Sequence, residues 1–453
     1  MIVVGSGFAG LAAAIEAHQA GAAVVVLEKM AGVGGNSVIS DGVVAAAGTP
    51  FQKNRGIEDT PEKMAADMLA AGQGLGHRDL VLTVAQHSAQ ALEWLIDELG
   101  VVFVDRVDQF GGHSVARSHT PARRRSGAEI YKRMLARVRQ LKIPIHLRCK
   151  VTGLSRDRRG RVDGVRALSG YRYQSTPGDA VTIGARRAVI LAAGGFAADV
   201  AFRSAHDPRL GAAVDTTNKP YATADVIKSA LRIGALPVHL SWIQLGPWTS
   251  PDEKGFGAGP DFAGYAAFPY GIMVDPATGR RFVNELADRK TRCDAVLALG
   301  HPAVVIADAQ AVRLSAIDLG RGLQKGVVRA FDSIGQLAQC YAISAPALEH
   351  AIGRFNAAWE QPAGDEFGKP LLASASPVCQ PPFYAMRVWP KTHYTMGGVL
   401  IDTRARVLDL CRQPIDGLYG AGEITGGIHG ACPVSYTHLR AHETTASIAY
   451  AGV

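Results

Sequence analysis

The sequence predicts an α/β protein, a parallel sheet with helices on both faces. Three observations predict it. A short apolar strand at Ile2 leads into a glycine turn, an alanine-rich helix and a second apolar strand that ends near Glu28. The chain has 453 residues, of which 47% are hydrophobic and 51 are glycine. That length favours two domains, or one domain with an insertion, and the glycines are typical of tight turns and close backbone contacts with ligands.

The first glycine turn has the spacing of a dinucleotide-binding site. Gly5 allows a tight turn, Gly7 lets the backbone approach a pyrophosphate, and Gly10 lets the helix pack closely on the strand. The helix N-terminus that follows favours an anion through its unpaired N–H groups and its dipole. Glu28 closes the second strand, at the place where an acidic side chain binds a ribose hydroxyl. The pattern therefore predicts a bound dinucleotide rather than a glycine turn without a ligand.

Composition excludes several classes of function. The formal net charge of +8 favours anionic ligands. The basic residues are scattered except in "ARRRSG" and "RDRRGR", which we interpret as solvated loops, so no nucleic-acid partner is predicted. The six cysteines form no CxxC or CxxCH motif, so neither a metal site nor c-type haem attachment is predicted. No apolar run approaches about 18 residues, so no membrane span is predicted.

The N-terminus bears on the cellular compartment. No basic segment precedes the first apolar stretch, so a signal peptide is not predicted. Met1 lies almost inside the first predicted strand, so we expect a further segment upstream. The expected compartment is the cytoplasm by default, and the periplasm if that upstream segment is an export signal.

The segment after Glu28 indicates which dinucleotide is bound. Residues 34–50, "GGNSVISDGVVAAAGTP", resemble a loop in the FAD-binding members of the fumarate reductase and succinate dehydrogenase flavoprotein family. In that family this loop lines the diphosphate and ribityl chain, so the resemblance implies FAD rather than NAD. Members in membrane complexes bind FAD covalently through a histidine of this loop. Residues 34–48 contain no histidine, so noncovalent FAD is expected.

The resemblance continues in the same order to about Ala431. "CKVTGL" resembles the strand under the adenine, and "RAVILAAGGFA" resembles the strand that leads to a second glycine turn. "DTTNKPYATADVIKSALRIGA" is similar to the family's TTN…ATGDG segment, with Ala224 and Val226 in place of its two glycines. "DGLYGAGEITGGIHGA" resembles the last FAD segment. The residues thereby assigned to FAD are Gly5, Gly7, Gly10, Glu28, Lys29, Gly34, Gly35, Asn36, Ser37, Ser40, Gly42, Val151 at the adenine, Ala193, Gly194, Gly195, Gly398, and Glu423 at the ribityl hydroxyls.

The order of these segments implies a domain arrangement. A Rossmann-like FAD-binding domain is expected at residues 1–234 and 395–433, interrupted by an α+β capping domain at 235–394. Within the family, the chain resembles most the soluble flavocytochrome c type reductases of conjugated acids. Closure of such a cap over the flavin would exclude water from hydride transfer.

Two further motifs resemble the family's catalytic segments. In "GRRFVNELADRKTRCDA" the family's proton-donor arginine lies four residues past Glu285, which is Arg289; Arg292 is the alternative donor. In "WPKTHYTMGGVLID" His393 matches the histidine that holds a substrate carboxylate, and Gly398 lets the next strand pass close to the flavin. Without the resemblance, both arginines would be interpreted as surface or ion-pair residues and the histidine as a packed side chain.

A third segment offers two further candidates for binding an anion. "GGHSVARSHTPARRRSGAEI" places Arg117 and His119 where they could form the roof of the cleft and bind substrate. The alternative is that they cap the helix that begins near Ser126. The sequence leaves both interpretations open.

The chain departs from the family pattern at the substrate end of the cleft. Dicarboxylate reductases of the family carry His-Pro where "WIQLGPWTSP" has Gly246 and Pro247, so one carboxylate ligand is missing. Their Glu-x-x-Arg proton relay has no acid or base counterpart in "FAGYAAFPYGIMVD". The region is instead aromatic, which predicts a substrate with one carboxylate and a bulkier apolar or ring-bearing part than fumarate. The aromatic residues are Trp242, Trp248, Tyr265, Phe268 and Tyr270.

These features predict an FAD-dependent reductase of an α,β-unsaturated carboxylate. Hydride would pass from flavin N5 to the β-carbon and a proton from Arg289 to the α-carbon. Two alternatives remain open: a dehydrogenase of a saturated acid or 3-ketosteroid-like ring, and a flavin-binding electron carrier or inactive remnant. The expected partners are a small carboxylate substrate and an electron donor, either a protein or a domain that carries haem or FMN.

The last residues do not resemble the family. After "GGIHGA" the family continues with Asn-Arg-Leu-Gly-Gly-Asn and a helix, and that arginine is a second carboxylate ligand. Here Cys432 and Pro433 are followed by "VSYTHLRAHET", which resembles the in-frame translation of a transposase adapter used in preparing sequencing libraries. We interpret residues 434–453 as non-native and expect this chain, without the arginine and the helix, to bind FAD poorly. His438, His442 and Glu443 are assigned no metal site.

Sequencing the source DNA across the codons for residues 425–453 tests this interpretation. We expect the natural reading frame to continue with an arginine codon at position 433 and a glycine-rich segment. If the genomic DNA encodes "VSYTHLRAHET", the tail is native and the electron-carrier or remnant interpretation is favoured.

Overall fold

The computed structural model describes residues 1–122, 126–358, 365–371 and 376–433. The chain divides into two compact units. Unit 1 comprises Met1–Arg209, Lys219–Ile243 and Tyr394–Val453, and unit 2 comprises Leu210–Asn218 and Gln244–His393. The predicted non-native tail, 434–453, lies outside the described residues. Unit 2 takes up most of the predicted capping domain and adds the segment Leu210–Asn218, which the sequence-based boundaries had left in the FAD-binding domain.

Unit 1 is built on a six-stranded sheet whose inner strands are parallel. Ile2 and Val4 pack into one apolar cluster of the unit, and Val3 packs into the other. Because successive side chains of a strand point to opposite faces, the sheet is buried on both sides, which explains its continuous apolar runs. The predicted α/β fold with a parallel sheet is confirmed. In sheet order, its strands are β19 (Arg406–Leu408), β20 (Pro414–Gly420), β9 (Val189–Leu191), β1 (Ile2–Val4), β2 (Val25–Leu27) and β5 (Ile145–His146).

Three smaller sheets complete the strands of unit 1. An antiparallel sheet consists of β6 (Cys149–Arg156), β7 (Val162–Ser169) and β8 (Asp179–Gly184). A second sheet joins β10 (Pro237–Val238), β18 (Gly398–Leu400) and β21 (Thr425–Gly426). A two-stranded ribbon pairs β3 (Val44–Ala45) with β4 (Ser118–His119).

The helices of unit 1 begin at recognisable caps. Thr49 forms a capping box with Gln52, and the side chains of Thr60, Ser126 and Asp199 accept the first free N–H groups of their helices. The helices are α1 (Phe8–Gln19), α2 (Pro50–Lys53), α3 (Pro61–Ala71), α4 (Arg78–Gln86), α5 (Ser88–Asp97), α6 (Gly127–Gln140), α7 (Val200–His206) and α8 (Asp225–Leu231).

Unit 2 has a five-stranded antiparallel sheet surrounded by short helices. Its sheet order is β13 (Arg280–Arg281), β12 (Ile272–Asp275), β14 (Ala303–Ala307), β16 (Phe383–Val388) and β15 (Arg329–Phe331). The strands β11 (Ile243–Gly246) and β17 (Lys391–Thr395) form a separate two-stranded sheet. The helices are α9 (Phe268–Tyr270), α10 (Arg289–Leu299), α11 (Ala309–Ser315), α12 (Gly320–Gln324), α13 (Ile334–Cys340) and α14 (Ala345–Ala357), and a π-helical turn spans Phe262–Ala267.

A buried ionic network fixes the segment that leads into α10. Glu285 is fully buried and accepts two hydrogen bonds from Arg281, at 2.9 and 2.7 Å. The same carboxylate accepts the N–H of Met273 at 2.8 Å and lies 3.5 Å from Lys369 Nζ. Asp365 binds the other side of the Arg281 guanidinium. Because a buried charge is costly unless it is paired, these contacts hold Glu285 in one place, four residues before Arg289.

Glu285→Gln should therefore destabilise unit 2. The substitution removes a negative charge that is paired with buried cations, and breaking such a pair costs about 3 kcal/mol or more of unfolding free energy. Urea unfolding followed by tryptophan fluorescence measures the change. Arg280→Gln is the control, since Arg280 is exposed on β13 beside Arg281 and should change the stability by less than about 0.5 kcal/mol. Equal stability of the two variants would show that the network is not important for stability.

Candidate active site

The first glycine turn provides the cradle that the sequence predicts for a pyrophosphate. A Cβ atom at Gly10 would clash with the carbonyl oxygen of Gly5, which is backbone and cannot move aside. The N-cap residue of α1 is Gly7, which has no side chain to occupy this end, and the first turn contains no acidic residue. An anion at this end therefore meets backbone N–H groups and a favourable helix dipole without repulsion. The chemistry of the turn fits the diphosphate of FAD.

Glu28 is held rigidly at the end of β2. Its Oε2 accepts hydrogen bonds from Ser6 Oγ at 2.6 Å and Ser6 N at 3.2 Å, and its Oε1 accepts from Met30 N at 2.9 Å. The residue is 8% exposed. The carboxylate thus stands beside the glycine turn, in the orientation expected for the ribose ligand of a dinucleotide.

The loop after Glu28 folds back onto the same turn. Ser6 Oγ accepts the N–H of Gly34 at 3.1 Å, and Ser37 Oγ accepts the N–H of Phe8 at 2.9 Å. Ser40 Oγ donates to the carbonyl of Ser37 at 2.8 Å. The structure therefore brings the predicted loop residues to the N-terminus of α1. Gly35, Asn36 and Gly42 belong to the same loop, and Asn36 Oδ1 accepts the N–H of Lys219 at 2.9 Å.

The second predicted glycine turn meets the last FAD segment. A Cβ atom at Gly195 would clash with the side chains of Thr395 and Glu423. Glu423 Oε1 accepts the N–H of Thr395 at 3.0 Å and its hydroxyl at 3.1 Å. Burial raises the pKa of Glu423 to about 7, against the opposing effect of these hydrogen bonds. A Cβ atom at Gly398 would likewise clash with the carbonyl oxygen of Ile424. Ala193 and Gly194 directly precede Gly195 at the end of β9.

Two other predicted FAD residues lie in different settings. Val151 is 3% exposed in β6, where it pairs with Ala167. Lys29 Nζ donates to Thr223 Oγ1 at 2.8 Å and lies 3.4 Å from Asp225 Oδ2. Burial lowers the pKa of Lys29, and the charge of Asp225 partly offsets this effect. Their contacts with FAD stay predictions.

Arg289 lies at the first turn of α10 in unit 2. Asp288 caps this helix by accepting the N–H of Thr291 at 3.0 Å. Arg289 Nη1 donates to Gln244 Oε1 at 3.1 Å, and its guanidinium carbon lies 4.6 Å from the centroid of the Trp248 ring. The side chain is held by a neutral amide and an aromatic face, both of which leave its positive charge unneutralised.

His393 lies against the same tryptophan. The ring centroids of Trp248 and His393 are 5.5 Å apart in an edge-to-face arrangement. Burial, and then the charge of Arg289, lower the pKa of His393 to about 3. The imidazole is therefore neutral near pH 7, and one of its two nitrogens carries a hydrogen.

Thr217 contacts one of these two nitrogens. Its Oγ1 lies 2.8 Å from His393 Nδ1 and 3.4 Å from the carbonyl oxygen of Thr392. That carbonyl already accepts from Thr217 N at 2.9 Å and from Thr216 Oγ1 at 3.0 Å. The hydroxyl can donate to Nδ1 or accept from it, according to the tautomer of the imidazole. The sequence places Thr217 in the TTN segment but carries no signal for this contact, which joins residues 176 positions apart.

The structure does not support substrate binding by Arg117 or His119. Arg117 is fully buried and forms ion pairs with Asp59 at 2.8 Å and Asp67 at 2.7 Å. Two carboxylates already neutralise its charge, so it offers little attraction to a further anion. His119 is fully buried in β4, and its ring nitrogens lie 3.1 Å from Thr49 Oγ1 and 3.2 Å from the Val44 carbonyl oxygen.

The alternative role for these two residues is not seen either. Ser126 itself caps α6, since its side chain accepts the N–H of Ala128 at 3.2 Å. Within the described residues, no group of three His, Cys, Asp or Glu side chains could hold a metal ion. No helix in this part of the chain has the length and hydrophobicity needed to cross a membrane.

Comparison with known proteins identifies the family of this chain. A model of the FAD binding domain family matches residues 1–436. The chain belongs to this family. The acrylate reductase flavoprotein subunit of Shewanella woodyi is 43% identical over 439 residues, which cover 95% of this chain and 86% of that protein. The fumarate reductase (cytochrome) of Shewanella frigidimarina is 33% identical over 434 residues, covering 95% of this chain and 72% of that protein.

A solved structure supports the same assignment. The open conformation of a flavocytochrome c3 fumarate reductase matches this FAD-binding protein with a TM-score of 0.83 at 30% identity, covering all of this chain and 77% of that one. The predicted resemblance, the α/β fold and FAD as the cofactor are thereby confirmed. The protein is an FAD-dependent oxidoreductase.

Proposed function

We propose that this protein reduces the C=C bond of a small α,β-unsaturated monocarboxylate, with Arg289 as proton donor and His393 as carboxylate ligand. One observation carries the proposal: a neutral histidine and an arginine that has no carboxylate partner among the described residues pack on the same tryptophan ring. The relatives named above are reductases of acrylate and fumarate, which are both unsaturated acids.

FAD supplies the hydride when it is bound and reduced. The residues that fit it are the turn Gly5, Gly7 and Gly10, Glu28, the loop 34–42, and the pair Gly195 and Glu423. Of these, the glycines remove side chains from the backbone, and Glu28 and Glu423 offer carboxylate oxygens to hydroxyl groups. We propose that the cofactor is held without a covalent bond.

His393 is suited to bind the substrate carboxylate without acting as a proton donor to the substrate. Its Nε2–H donates a hydrogen bond, while its pKa of about 3 prevents it from acting as an acid at neutral pH. The hydrogen bond draws negative charge onto the carboxylate, which makes the β-carbon more electrophilic. We propose that Thr217 donates its hydroxyl hydrogen to Nδ1, since the Thr392 carbonyl is more distant and already accepts two hydrogen bonds. Thr217 thereby acts as a positioning residue that keeps the imidazole hydrogen on Nε2.

Arg289 is suited to protonate the α-carbon. An ordinary guanidinium is a weak acid, but the carbanion-like carbon that forms on hydride addition is far more basic. The proton leaves one guanidinium nitrogen and forms a C–H bond, and Arg289 becomes neutral. Gln244 holds the guanidinium at 3.1 Å, and the Trp248 face supports it without taking its charge. Both contacts therefore orient the donor and leave its proton available.

The packing around Gly246 favours a small substrate. A Cβ atom at Gly246 would lie 3.3 Å from the Trp248 ring, so the indole occupies the space where a side chain at this position would point. Trp248 also contacts both Arg289 and His393. The aromatic ring therefore reduces the room on this side of the candidate site. On this basis we propose acrylate-sized acids as substrates, while the bulkier substrate that the sequence predicts stays a prediction.

We propose that electrons reach the FAD from a separate protein or domain that carries haem or FMN. A reductase needs such a donor for each turnover, and reduced viologen substitutes for it in the assays below. The name of the S. frigidimarina relative includes a cytochrome, which supports haem as the first donor to test.

Arg289→Gln should abolish reduction of acrylate by reduced viologen. Loss of a general acid lowers kcat by about 10² to 10⁴-fold, while FAD content and reduction of the flavin are unchanged because Arg289 lies in unit 2, outside the FAD residues. Lys290→Gln, next on the same helix and exposed, is the matched control and keeps the wild-type rate. The proposed role fails if the Arg289 variant retains more than about a tenth of kcat.

The same assay tests the function itself. Wild-type protein expressed from the sequenced gene should oxidise reduced viologen with acrylate faster than with fumarate or cinnamate. Turnover only with a saturated acid and an artificial acceptor would support a dehydrogenase instead. Reoxidation of the flavin without any dependence on substrate would support an electron carrier.

Thr217→Val should raise KM for the enoate by about tenfold, because one hydrogen bond to a carboxylate is weakened when the His393 tautomer is no longer fixed. Thr217→Ser keeps the hydroxyl and should restore most of the affinity. Steady-state kinetics of both variants measure the effect. Identical KM values for the Val and Ser variants would remove Thr217 from the site.

Acid precipitation tests the noncovalent attachment. We expect the flavin absorbance to appear in the supernatant, because residues 34–48 offer no histidine for a covalent bond. The protein pellet should then show no flavin fluorescence. Flavin that stays in the denatured pellet would contradict the prediction.

A further inference from the structure

Arg292 is a buried cation to which the proposed reaction assigns no role. It lies three residues after Arg289 on α10, so the two side chains are neighbours on one helix face. Its guanidinium carbon lies 4.7 Å from the centroid of the Phe268 ring. Its Nε is buried and has no hydrogen-bond partner among the described residues. A buried donor left without an acceptor lowers the stability of the fold, so packing alone does not explain an arginine at this position.

The elements packed against Arg292 do not neutralise it. Phe268, whose ring lies against the guanidinium, is a buried apolar side chain and carries no charge. The charged or titratable groups that act on Arg292 are Arg289, Asp288, Glu285 and Cys293. Burial, together with the charge of Arg289, lowers the pKa of Arg292 to about 10. Arg292 is thus protonated at neutral pH but gives up its proton more readily than an ordinary arginine.

An arginine that donates its proton must recover it before the next turnover. His393 is neutral and cannot supply one, because its pKa is about 3. For Asp288, burial opposes ionisation, but hydrogen bonds from Thr291 outweigh it and lower the pKa, so this carboxylate carries no proton at neutral pH. Glu285 is committed to Arg281 and Lys369. Arg281 and Lys369 also carry protons, but both are held in ion pairs of that network. Arg292, which lies beside Arg289 on the same helix, is therefore the proton source that these observations favour.

We propose that Arg292 re-protonates Arg289 after each turnover, and so replaces the acid–base relay that "FAGYAAFPYGIMVD" lacks. A proton passes from the Arg292 guanidinium to the neutral Arg289 side chain, directly or through one water molecule. Arg292 then takes a proton from solvent, so atoms and charge balance over the cycle. This inference rests on the proposed reductase function, and Arg292 acts through Arg289 rather than on the substrate.

The pH dependence of kcat tests the proposal. Arg292→Gln should lower kcat at pH 8 by about tenfold or more and leave KM within about threefold, since proton supply limits turnover but not binding. Arg292→Lys retains a titratable cation and should recover much of kcat. In wild-type protein, kcat should fall as the pH rises through about 10, where Arg292 loses its proton. Lys290→Gln on the same helix should keep the wild-type profile.

A spectroscopic measurement separates failure of this inference from failure of the proposed function. In protein labelled with [13Cζ]arginine, one guanidinium signal should titrate near pH 10 and be missing from Arg292→Lys. Absence of any arginine titration below pH 11 overturns the inference whether or not the enzyme turns over. Wild-type turnover with an unchanged kcat profile in Arg292→Gln also overturns it. If no enoate is reduced by wild-type protein, the proposed function fails and the relay fails with it.

Discussion

The buried carboxylate of Glu285 is the constraint on which the catalytic end of unit 2 depends. It is fully buried, so it needs partners on several sides, and Arg281, Lys369 and the N–H of Met273 supply them. Burial lowers the pKa of Lys369 to about 8, with the charge of Glu285 acting in the opposite direction. These contacts join β12, β13 and the segment of Asp365 at a point four residues before Arg289. Asp288 then caps the first turn of α10, in which Arg289 lies.

The arginines of unit 2 differ in the groups that hold their positive charges. Arg281 binds two carboxylates, which stabilise its charge and remove it from chemistry. Arg289 and Arg292 instead pack on the aromatic faces of Trp248 and Phe268. An aromatic ring stabilises a cation without neutralising it, and for this reason we propose chemical roles for these two arginines. Arg117 in unit 1 illustrates the first case, since Asp59 and Asp67 neutralise it fully.

In unit 1, the groups expected to bind the anionic cofactor are mainly backbone groups. The missing side chains at Gly5, Gly10 and Gly195 let strands, helix and loops approach closely at the carboxyl ends of the parallel strands. The Ser6 hydroxyl donates to the Glu28 carboxylate and accepts the N–H of Gly34. The Ser37 hydroxyl accepts the N–H of Phe8. The helix dipole provides the favourable field, so this site needs no buried lysine or arginine at the diphosphate.

The sequence alone determined the fold class, the dinucleotide turn, the choice of FAD and the two motifs that contain Arg289 and His393. The fold class and the dinucleotide turn follow from local spacing, three glycines between a strand and a helix. FAD and the two motifs follow from the resemblance to a flavoprotein family, whose short motifs can be read before the chain folds. Only the tertiary structure decided what surrounds each candidate. The carboxylates that neutralise Arg117 lie 58 and 50 residues away, and the hydroxyl that contacts His393 Nδ1 lies 176 residues away. Whether the charge of a side chain is neutralised depends on such distant partners. Burial and ion pairing act through space, so they leave no periodic pattern along the chain.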